Sequence, residues 1–414
     1  MRLHLLFCWL SLAICSACSG QSHVAGRQQP SSDDAVVIVG LDGFHPSYLD
    51  RMPSRNLREL AREGVRARWM IPVFPTLTFP NFYSMATGLY PEHHGIVSNT
   101  IKDPVLGRFA LRDTGAVRDP RWWGGEPIWA TAVKQGKRAA TYFWPGSEAP
   151  IGGVRPTYYK RFSARVPNAE RVRQVLEWLS LPADSAPALV TLYLGDVDDA
   201  GHEFGPQSAG TDSAIARVDR AVGELLRGLE QRGLERRVNV IVVSDHGMAE
   251  MKPGQLIYLD DYVDTATVEV IDLGPVVSLS GRAGNDEQVY RRLRGAHPHL
   301  RVYRKAEVPA RYHYREHHRV PAIIGVTDEG WMVTARGRVR SRGTGQLPRG
   351  HHGYPPDVPS MRALFLARGP AFARGVVVEP FENVHVYSLL THVLGLTPAQ
   401  TDGSLDSIKA VLAK

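Results

Sequence analysis

Cysteine is nearly absent from this sequence. Its 414 residues include three cysteines, and all of them lie within the first 18 positions, as Cys8, Cys15 and Cys18. The rest of the chain therefore cannot form a disulfide framework, a thiolate metal site or a cysteine nucleophile. Any metal ion must be held by oxygen or imidazole ligands, and we expect any covalent catalysis to use a hydroxyl group.

The apolar run at the N-terminus is too short to cross a membrane. Residues 5–14 form a run of about ten apolar residues, whereas a spanning helix needs about 20. Because Arg2 and His4 precede this run and small residues follow it, residues 1–20 are predicted to be an export signal that is removed. The polar residues 21–34 then predict a tether.

Residues 16–18 resemble a bacterial lipobox, in which Cys18 would become lipidated and attach the mature chain to a membrane. Cys15 stands where that pattern prefers Leu, and plain cleavage after Ala17 or Gly20 is the alternative. In either case we expect the protein to be exported, as a periplasmic protein with or without a lipid anchor, or as a secreted one.

Long basic runs are lacking as well. The chain has 49 Lys and Arg against 42 Asp and Glu, a formal charge of +7, without an interleaving of Arg and aromatic residues. This argues against a nucleic-acid duplex as partner, while a mild positive field suits small anionic substrates. The oligomeric state is left open.

Three continuous apolar runs, at 35–40, 188–194 and 238–244, predict strands buried on both faces. Helical patterns at 56–63, 169–179 and 212–232 separate or follow them, which predicts an α/β fold with a mainly parallel sheet flanked by helices. Ligands bind beyond the carboxyl ends of such strands. An acidic residue follows each run, so we expect these acids at one edge of the sheet: Asp42; Asp196, Asp198 and Asp199; Asp245.

Residues from about 252 to 349 differ from the rest, with short strand-like pieces at 268–279 and 330–335 among basic loops. The chain then returns to a strand at 362–366 and a final helix at 384–394. We therefore predict one catalytic domain over 35–414 that carries a smaller inserted α+β subdomain at about 252–349.

Aspartate and histidine stand together in several places. Asp198 and His202 are four residues apart, Asp245 and His246 are adjacent, and a His-His pair lies at 351–352. A single Asp–His neighbour is more often a hydrogen-bonded surface pair. Several of them at one edge of a sheet favour a metal centre, since Zn²⁺ takes three or four such ligands.

A Thr- and Pro-rich loop at 72–81 leads into a helix that we expect to begin near Asn81. Thr78 lies close to that helix N-terminus, where backbone N–H groups favour anions. On composition alone, the preferred interpretation is that Thr76 or Thr78 caps the helix.

Five segments together resemble the nucleotide pyrophosphatase/phosphodiesterases of the alkaline phosphatase superfamily. They occur in the family's order and span most of the chain after the tether. They are VIVGLDGF (37–44), FPTLTFPNFYSMATGLYPEHHGIVSN (74–99), DVDDAGHEFGP (196–206), SDHGM (244–248) and HGY (352–354). The resemblance implies an alkaline-phosphatase-like sheet and zinc-dependent hydrolysis of nucleotide phosphodiester or pyrophosphate bonds, which releases a nucleoside monophosphate.

The resemblance also implies roles for individual residues. Thr78 matches the nucleophile, Asn99 the donor to a phosphoryl oxygen, and Phe79 and Phe162 the two rings that stack on a base, although Tyr is frequent at the second position. His352 is chosen over His351 because it directly precedes Gly-Tyr. Two Zn²⁺ ions per chain are implied, one held by Asp42, Asp245, His246 and the Thr78 oxygen, the other by Asp198, His202 and His352.

These roles agree with the chemistry of phosphoryl transfer. Metal coordination can turn a Thr hydroxyl into an alkoxide, and two metal ions about 4 Å apart can hold both sides of an in-line displacement. The expected cycle forms a phospho-threonine diester at Thr78, which water then hydrolyses. The alternatives are a phosphomonoesterase, a phosphodiesterase acting on lipid head groups, and a non-catalytic periplasmic metal-binding lipoprotein, which would require a degraded site.

Overall fold

The computed structural model describes residues 34–51, 53–342 and 347–414. The predicted export signal with Cys18, and the predicted tether except for Asp34, lie outside the described residues. Within the described part, none of the helices is both long and apolar enough to cross a bilayer.

Strands and helices alternate along most of the chain. The strands are Ala35–Leu41 (β1), Val65–Ala67 (β2), Met70–Ile71 (β3), Thr100–Asp103 (β4), Gly107–Ala110 (β5), Ala139–Tyr142 (β6), Tyr158–Lys160 (β7), Leu189–Leu194 (β8), Val238–Val243 (β9), Ala249–Glu250 (β10), Leu256–Tyr258 (β11), Val268–Asp272 (β12), Val276–Gly281 (β13), Leu300–Arg304 (β14), Ile323–Thr327 (β15), Met332–Thr334 (β16), Gly350–His351 (β17), Phe365–Arg368 (β18), Val376–Val378 (β19) and Phe381–Glu382 (β20). The α-helices are Arg55–Glu63 (α1), Thr78–Thr87 (α2), Pro91–His94 (α3), Thr114–Arg118 (α4), Ile128–Lys134 (α5), Asn168–Leu179 (α6), Asp196–Phe204 (α7), Ala209–Glu230 (α8), Asp286–Leu293 (α9), Arg336–Arg342 (α10) and His385–Val393 (α11).

The largest layer is an eight-stranded sheet with the order β19-β2-β18-β9-β1-β8-β6-β7. β1 lies at its centre and pairs in parallel with β8 and β9, while β18 runs antiparallel to β9 and β2. The three strands predicted from apolar runs are β1, β8 and β9, so the mainly parallel sheet expected from the sequence is confirmed.

Both faces of this sheet are covered by helices, as its continuous apolar strands require. Successive residues of β1 point to opposite faces. Val37 and Val39 pack with α1, α6 and α8, whereas Val36 and Ile38 belong to the core that includes α2, α5 and α11. Side chains that could carry out chemistry are thereby confined to the ends of the strands.

A second, four-stranded sheet has the order β12-β13-β15-β14 and is antiparallel throughout. With α9 it encloses its own apolar cluster. The single strand-like piece expected at 268–279 is wrong in detail, because Gly274 and Pro275 separate β12 from β13. This sheet lies within the predicted subdomain, whose limits near 252 and 349 stay a prediction.

Candidate active site

Three aspartates meet at the carboxyl edge of the central sheet. Asp42 directly follows β1, Asp245 follows β9 after one serine, and Asp198 lies in the first turn of α7, just past β8. Gly43 joins two of these segments, since its N–H donates to Asp245 Oδ1 at 3.1 Å. Its φ of +69° favours glycine, and a Cβ there would lie 3.0 Å from Asp198 Cα.

Asp42, Asp245 and His246 form the first potential ligand group. Each contributes one ligand atom, and these atoms all lie within 4.8 Å of one another in fully buried surroundings. His246 Nε2 is 2.9 Å from Asp245 Oδ2 and 3.5 Å from Asp42 Oδ1.

Asp198, His202 and His352 form the second group. The first two are four residues apart on α7 and therefore share a helix face. Each histidine Nε2 lies 3.5 Å from an Asp198 carboxylate oxygen, and the two Nε2 atoms are 3.1 Å apart.

The hydrogen bonds of the three histidines fix their tautomers. In each ring Nδ1 lies 2.8 Å from a backbone carbonyl oxygen, of Gly350 for His202, of Gly247 for His246 and of Thr76 for His352. A carbonyl only accepts, so Nδ1 carries a proton in each ring, and Nε2 is the nitrogen that faces the carboxylates and can serve as a metal ligand. This is the usual arrangement of metal-ligating histidines.

Several buried oxygens lack a hydrogen-bond donor. Among the described residues these include Asp42 Oδ1, Asp198 Oδ1 and Asp245 Oδ2. Burial raises the pKa of Asp42 well above its ordinary value, and the charges of Asp245 and Asp198 raise it further. Burial lowers the pKa of His352 well below its usual range, with the neighbouring histidines contributing. Imidazole Nε2 atoms beside crowded carboxylates are a donor set that fits divalent cations such as Zn²⁺.

Thr78 is the first residue of α2, and its Oγ1 lies 3.5 Å from His246 Nε2. The expectation of a helix cap is wrong: the N-cap position is Leu77, which makes no side-chain cap bond. Thr76 Oγ1 instead donates to the Tyr354 carbonyl at 2.8 Å and accepts the Gly353 N–H at 3.0 Å. Thr76 therefore joins the Thr78 loop to the His352 loop.

Asn99 faces the same site. Its Oδ1 accepts the backbone N–H of Phe79 at 3.0 Å, which leaves the Nδ2 amide as the group that can donate to a ligand.

One cavity of about 1140 Å³ is lined by Asp42, Thr78, Asn99, Asp198, His202 and His352, together with Phe79 and Phe162, whereas the deeply buried Asp245 and His246 do not line it. Phe79 packs edge-on against Phe109, with ring centroids 5.9 Å apart. Phe162 is 56% exposed and packs against Phe143, with centroids 5.1 Å apart. Two aromatic rings therefore border the space beside Thr78.

Of the paired histidines, His352 belongs to the ligand group, while His351 Nδ1 lies 2.9 Å from the His352 carbonyl. Histidines without a predicted role have other partners: His93 lies against Asp402, His94 against Ser84 and His318 against Asp103.

The sequence interpretation missed Tyr193, whose hydroxyl donates to Asp42 Oδ2 at 2.5 Å. The one available signal was a tyrosine near the carboxyl end of a mainly apolar strand. It also missed the linking role of Thr76, which it considered only as a cap.

The chain is similar in sequence to known phosphodiesterases. Residues 36–355 match the family described as type I phosphodiesterase/nucleotide pyrophosphatase. The chain is 36% identical over 415 residues to ectonucleotide pyrophosphatase/phosphodiesterase family member 3 of Rattus norvegicus, covering 98% of this chain and 46% of the rat protein. It thus spans about half the length of that curated relative. It is 38% identical over 383 residues to an uncharacterised pyrophosphatase/phosphodiesterase of Schizosaccharomyces pombe, covering 90% of this chain and 79% of the yeast protein.

A solved structure gives the fold comparison. Murine ectonucleotide pyrophosphatase/phosphodiesterase 5, in an inactive threonine-to-alanine variant in complex with AMP, matches with a TM-score of 0.87 at 35% identity. The match covers 92% of this chain and 100% of the murine chain. The expected fold class is confirmed.

Proposed function

Because this chain belongs to the type I phosphodiesterase/nucleotide pyrophosphatase family, we propose that it is an exported, zinc-dependent hydrolase of nucleotide phosphodiester and pyrophosphate bonds. Its substrates would be molecules such as ATP or nucleoside 5′-monophosphate esters, and its product a nucleoside monophosphate. Residues 1–20 would direct export, and mass spectrometry of the mature N-terminus would distinguish a lipidated Cys18 from plain cleavage.

The observation that carries the proposal is the position of Thr78. Its hydroxyl lies at the start of α2, 3.5 Å from His246 Nε2, in a cavity also lined by the second ligand group, with Asp198, His202 and His352. A hydroxyl that lies beside two groups of potential divalent-metal ligands supports a role in phosphoryl transfer.

The proposed metal ligands are those of the two groups. Asp42, Asp245 and His246, with the Thr78 oxygen, would hold one zinc ion, and Asp198, His202 and His352 would hold the other. When bound, the two ions would supply the positive charge that favours the Thr78 alkoxide and offsets charge on the phosphoryl oxygens.

The chain's own residues carry the reaction. Thr78 Oγ1 gives up its proton to solvent and attacks phosphorus, so that a P–Oγ1 bond forms. The P–O bond to the leaving group breaks at the same time, and that group is the alcohol of a monophosphate ester or the pyrophosphate of ATP. Asn99 Nδ2 donates to a phosphoryl oxygen as negative charge develops there. Water then cleaves the phospho-threonine diester, which frees Thr78 and releases the nucleoside monophosphate.

Phe79 and Phe162 would hold the base. Both rings line the cavity beside Thr78, and aromatic side chains stack on every nucleobase because each base has a π-face. The AMP complex of the murine relative supports this choice of substrate.

The test compares Thr78→Ala with Thr78→Ser on p-nitrophenyl thymidine 5′-monophosphate. We expect the Ala variant to lose turnover, while the Ser variant, which keeps a hydroxyl, retains measurable activity. Zinc content should stay near two ions per chain in the Ser variant. Undiminished turnover by Thr78→Ala would overturn the proposal.

A substrate panel separates the alternatives. Faster hydrolysis of p-nitrophenyl phosphate than of the nucleotide diester would favour a phosphomonoesterase. Preference for p-nitrophenylphosphorylcholine would favour a lipid head-group phosphodiesterase. Bound zinc without hydrolysis of any of these esters would favour a non-catalytic metal-binding protein.

A further inference from the structure

Phe162 is too exposed for packing alone to fix the position of its ring. It belongs to the irregular segment 161–167 between β7 and α6, and 56% of its surface is exposed. Its ring touches Phe143 and Tyr193 edge-on, with centroids 5.1 and 6.2 Å away. An exposed ring on such a segment would sample several positions unless its backbone is fixed.

Glu148 fixes that backbone. Its Oε1 accepts the Phe162 N–H at 2.8 Å, although the two residues are 14 positions apart. Its Oε2 accepts from Arg118 Nε, also at 2.8 Å. Only 10% of the Glu148 side chain is exposed, so both bonds are shielded from competing water.

The three residues belong to different segments around one cavity. Arg118 is the last residue of α4, Glu148 lies in the loop between β6 and β7, and Phe162 lies between β7 and α6. All three line the cavity that contains Thr78. The carboxylate therefore ties the Phe162 segment to α4 through two charge-assisted hydrogen bonds, which are stronger than neutral ones.

We propose that Glu148 is a positioning residue for base recognition. It holds the Phe162 backbone so that the ring already borders the cavity before a nucleotide enters, and Arg118 in turn orients the carboxylate. Preorganisation of this kind raises affinity because less side-chain and loop entropy is lost on binding. The inference rests on the proposed nucleotide specificity and adds the residue that maintains it.

The experiment uses two diesters with the same leaving group. p-Nitrophenyl thymidine 5′-monophosphate carries a nucleoside, and methyl p-nitrophenyl phosphate carries a methyl group in its place, so the ratio of their kcat/KM values measures recognition of the nucleoside. We expect Glu148→Ala to lower this ratio about tenfold, mainly through KM for the thymidine ester, which is within the range of one base–aromatic stack. Glu148→Gln, which keeps an acceptor for the Phe162 N–H, should recover most of the ratio.

A double-mutant cycle tests whether Glu148 acts through Phe162. In a Phe162→Ala background, Glu148→Ala should change the ratio little, because the ring it positions is gone. Glu126→Ala is the matched control: Glu126 pairs with Lys134 and does not line the cavity.

Two results would overturn the inference. One is an unchanged ratio in Glu148→Ala; if both esters lose activity equally, the residue has a structural role only. The other is a full tenfold loss of the ratio in the Phe162→Ala background. If the wild-type protein shows no preference for the thymidine ester, the proposed nucleotide specificity fails together with this inference. If the preference exists and Glu148→Ala keeps it, the inference alone fails.

Discussion

Tyr193 shows how one hydroxyl can support the proposed metal site. It donates to Asp42 Oδ2 at 2.5 Å and so leaves Oδ1, which lacks a donor, facing the other ligand atoms. Partners of ligating groups commonly contribute 10–100-fold to metal affinity. We therefore expect Tyr193→Phe to weaken zinc binding about tenfold in a chelator competition assay while leaving the fold intact, since the ring still packs.

Tyr158→Phe provides the control. Its hydroxyl also donates to an oxygen, the Ser185 carbonyl. Tyr158 belongs to β7 and is distant in sequence from the ligand groups. Equal zinc affinities in Tyr193→Phe and Tyr158→Phe would contradict the role given to Tyr193.

His94 makes stability depend on pH at a distance from the ligand groups. Its Nδ1 accepts the Ile96 N–H and its Nε2 lies 2.9 Å from Ser84 Oγ. Burial lowers the pKa of His94 from 6.5 to about 3. The unfolded chain therefore binds one more proton than the folded protein between these values. The stability due to neutral His94 is complete above about pH 6.5 and falls as the pH drops.

His94→Gln should remove this dependence. We expect the difference in unfolding free energy between wild type and variant to change by about 2 kcal/mol from pH 7 to pH 5, measured by urea unfolding. The exposed His392→Gln is the control. Parallel pH profiles for wild type and His94→Gln would contradict the prediction.

For single residues, the sequence predicts a site role where the residue belongs to a recognisable motif. Asp42, Asp198 and His202 follow predicted strands and could be proposed as neighbours. Tyr193, 151 positions from Asp42, and Thr76, 278 positions from Tyr354, could not. Their contacts depend on how loops meet, and hydrophobic periodicity carries no information about that.

The first turn of α2 depends on a buried amide. Asn81 Oδ1 accepts the Val73 N–H at 2.8 Å and the Asn383 amide at 2.9 Å, while Nδ2 donates to carbonyls of the loop before Thr78. Asn81→Ala would leave buried donors unpaired. We expect it to destabilise the protein by about 2–4 kcal/mol and to lower kcat, because the loop that presents Thr78 loosens.

Urea unfolding and steady-state kinetics of the same preparation test this prediction. Asn285→Ala, at an exposed position before α9, is the control. A variant with wild-type kcat at reduced stability would show that Asn81 supports the helix but not the position of Thr78.

Elements differ in how well the sequence predicts them. Buried strands such as β1 and β9 are continuous apolar runs, and their predicted limits lie within one residue of the observed ones. The start of α2 is wrong by three residues, because a proline in the first turn, here Pro80, lacks only an N–H that would have no helical partner. Short strands such as β6, with four residues, carry too few positions for a pattern.

In the whole molecule, the sheet brings together like charges that repel one another. Asp42, Asp198 and Asp245 come from three separate segments, and parallel pairing of β8, β1 and β9 places them at one edge. The fold therefore stores like-charge repulsion at this edge that bound cations would relieve. This could be anticipated from strand order, but the distances could not.

Removal of metal should therefore destabilise the protein, and Asp42→Asn should invert the order of stability. In the wild type, zinc at 1,000 times its Kd would add about 4 kcal/mol. Without metal, burial and the nearby carboxylates raise the pKa of Asp42, so the stability of the metal-free protein falls as the pH rises above the ordinary range of an aspartate.

The amide side chain of the Asp42→Asn variant would carry no charge and could still accept from the Tyr193 hydroxyl. We expect metal-free Asp42→Asn to melt above metal-free wild type at pH 8, and zinc-loaded wild type to melt above both. Thermal unfolding with zinc or with a chelator measures all four states, with the exposed Asp50→Asn as control. If metal-free wild type and Asp42→Asn melt together at pH 8, the crowded carboxylates are not the source of the instability, and the assignment of this edge as a cation site loses its energetic basis.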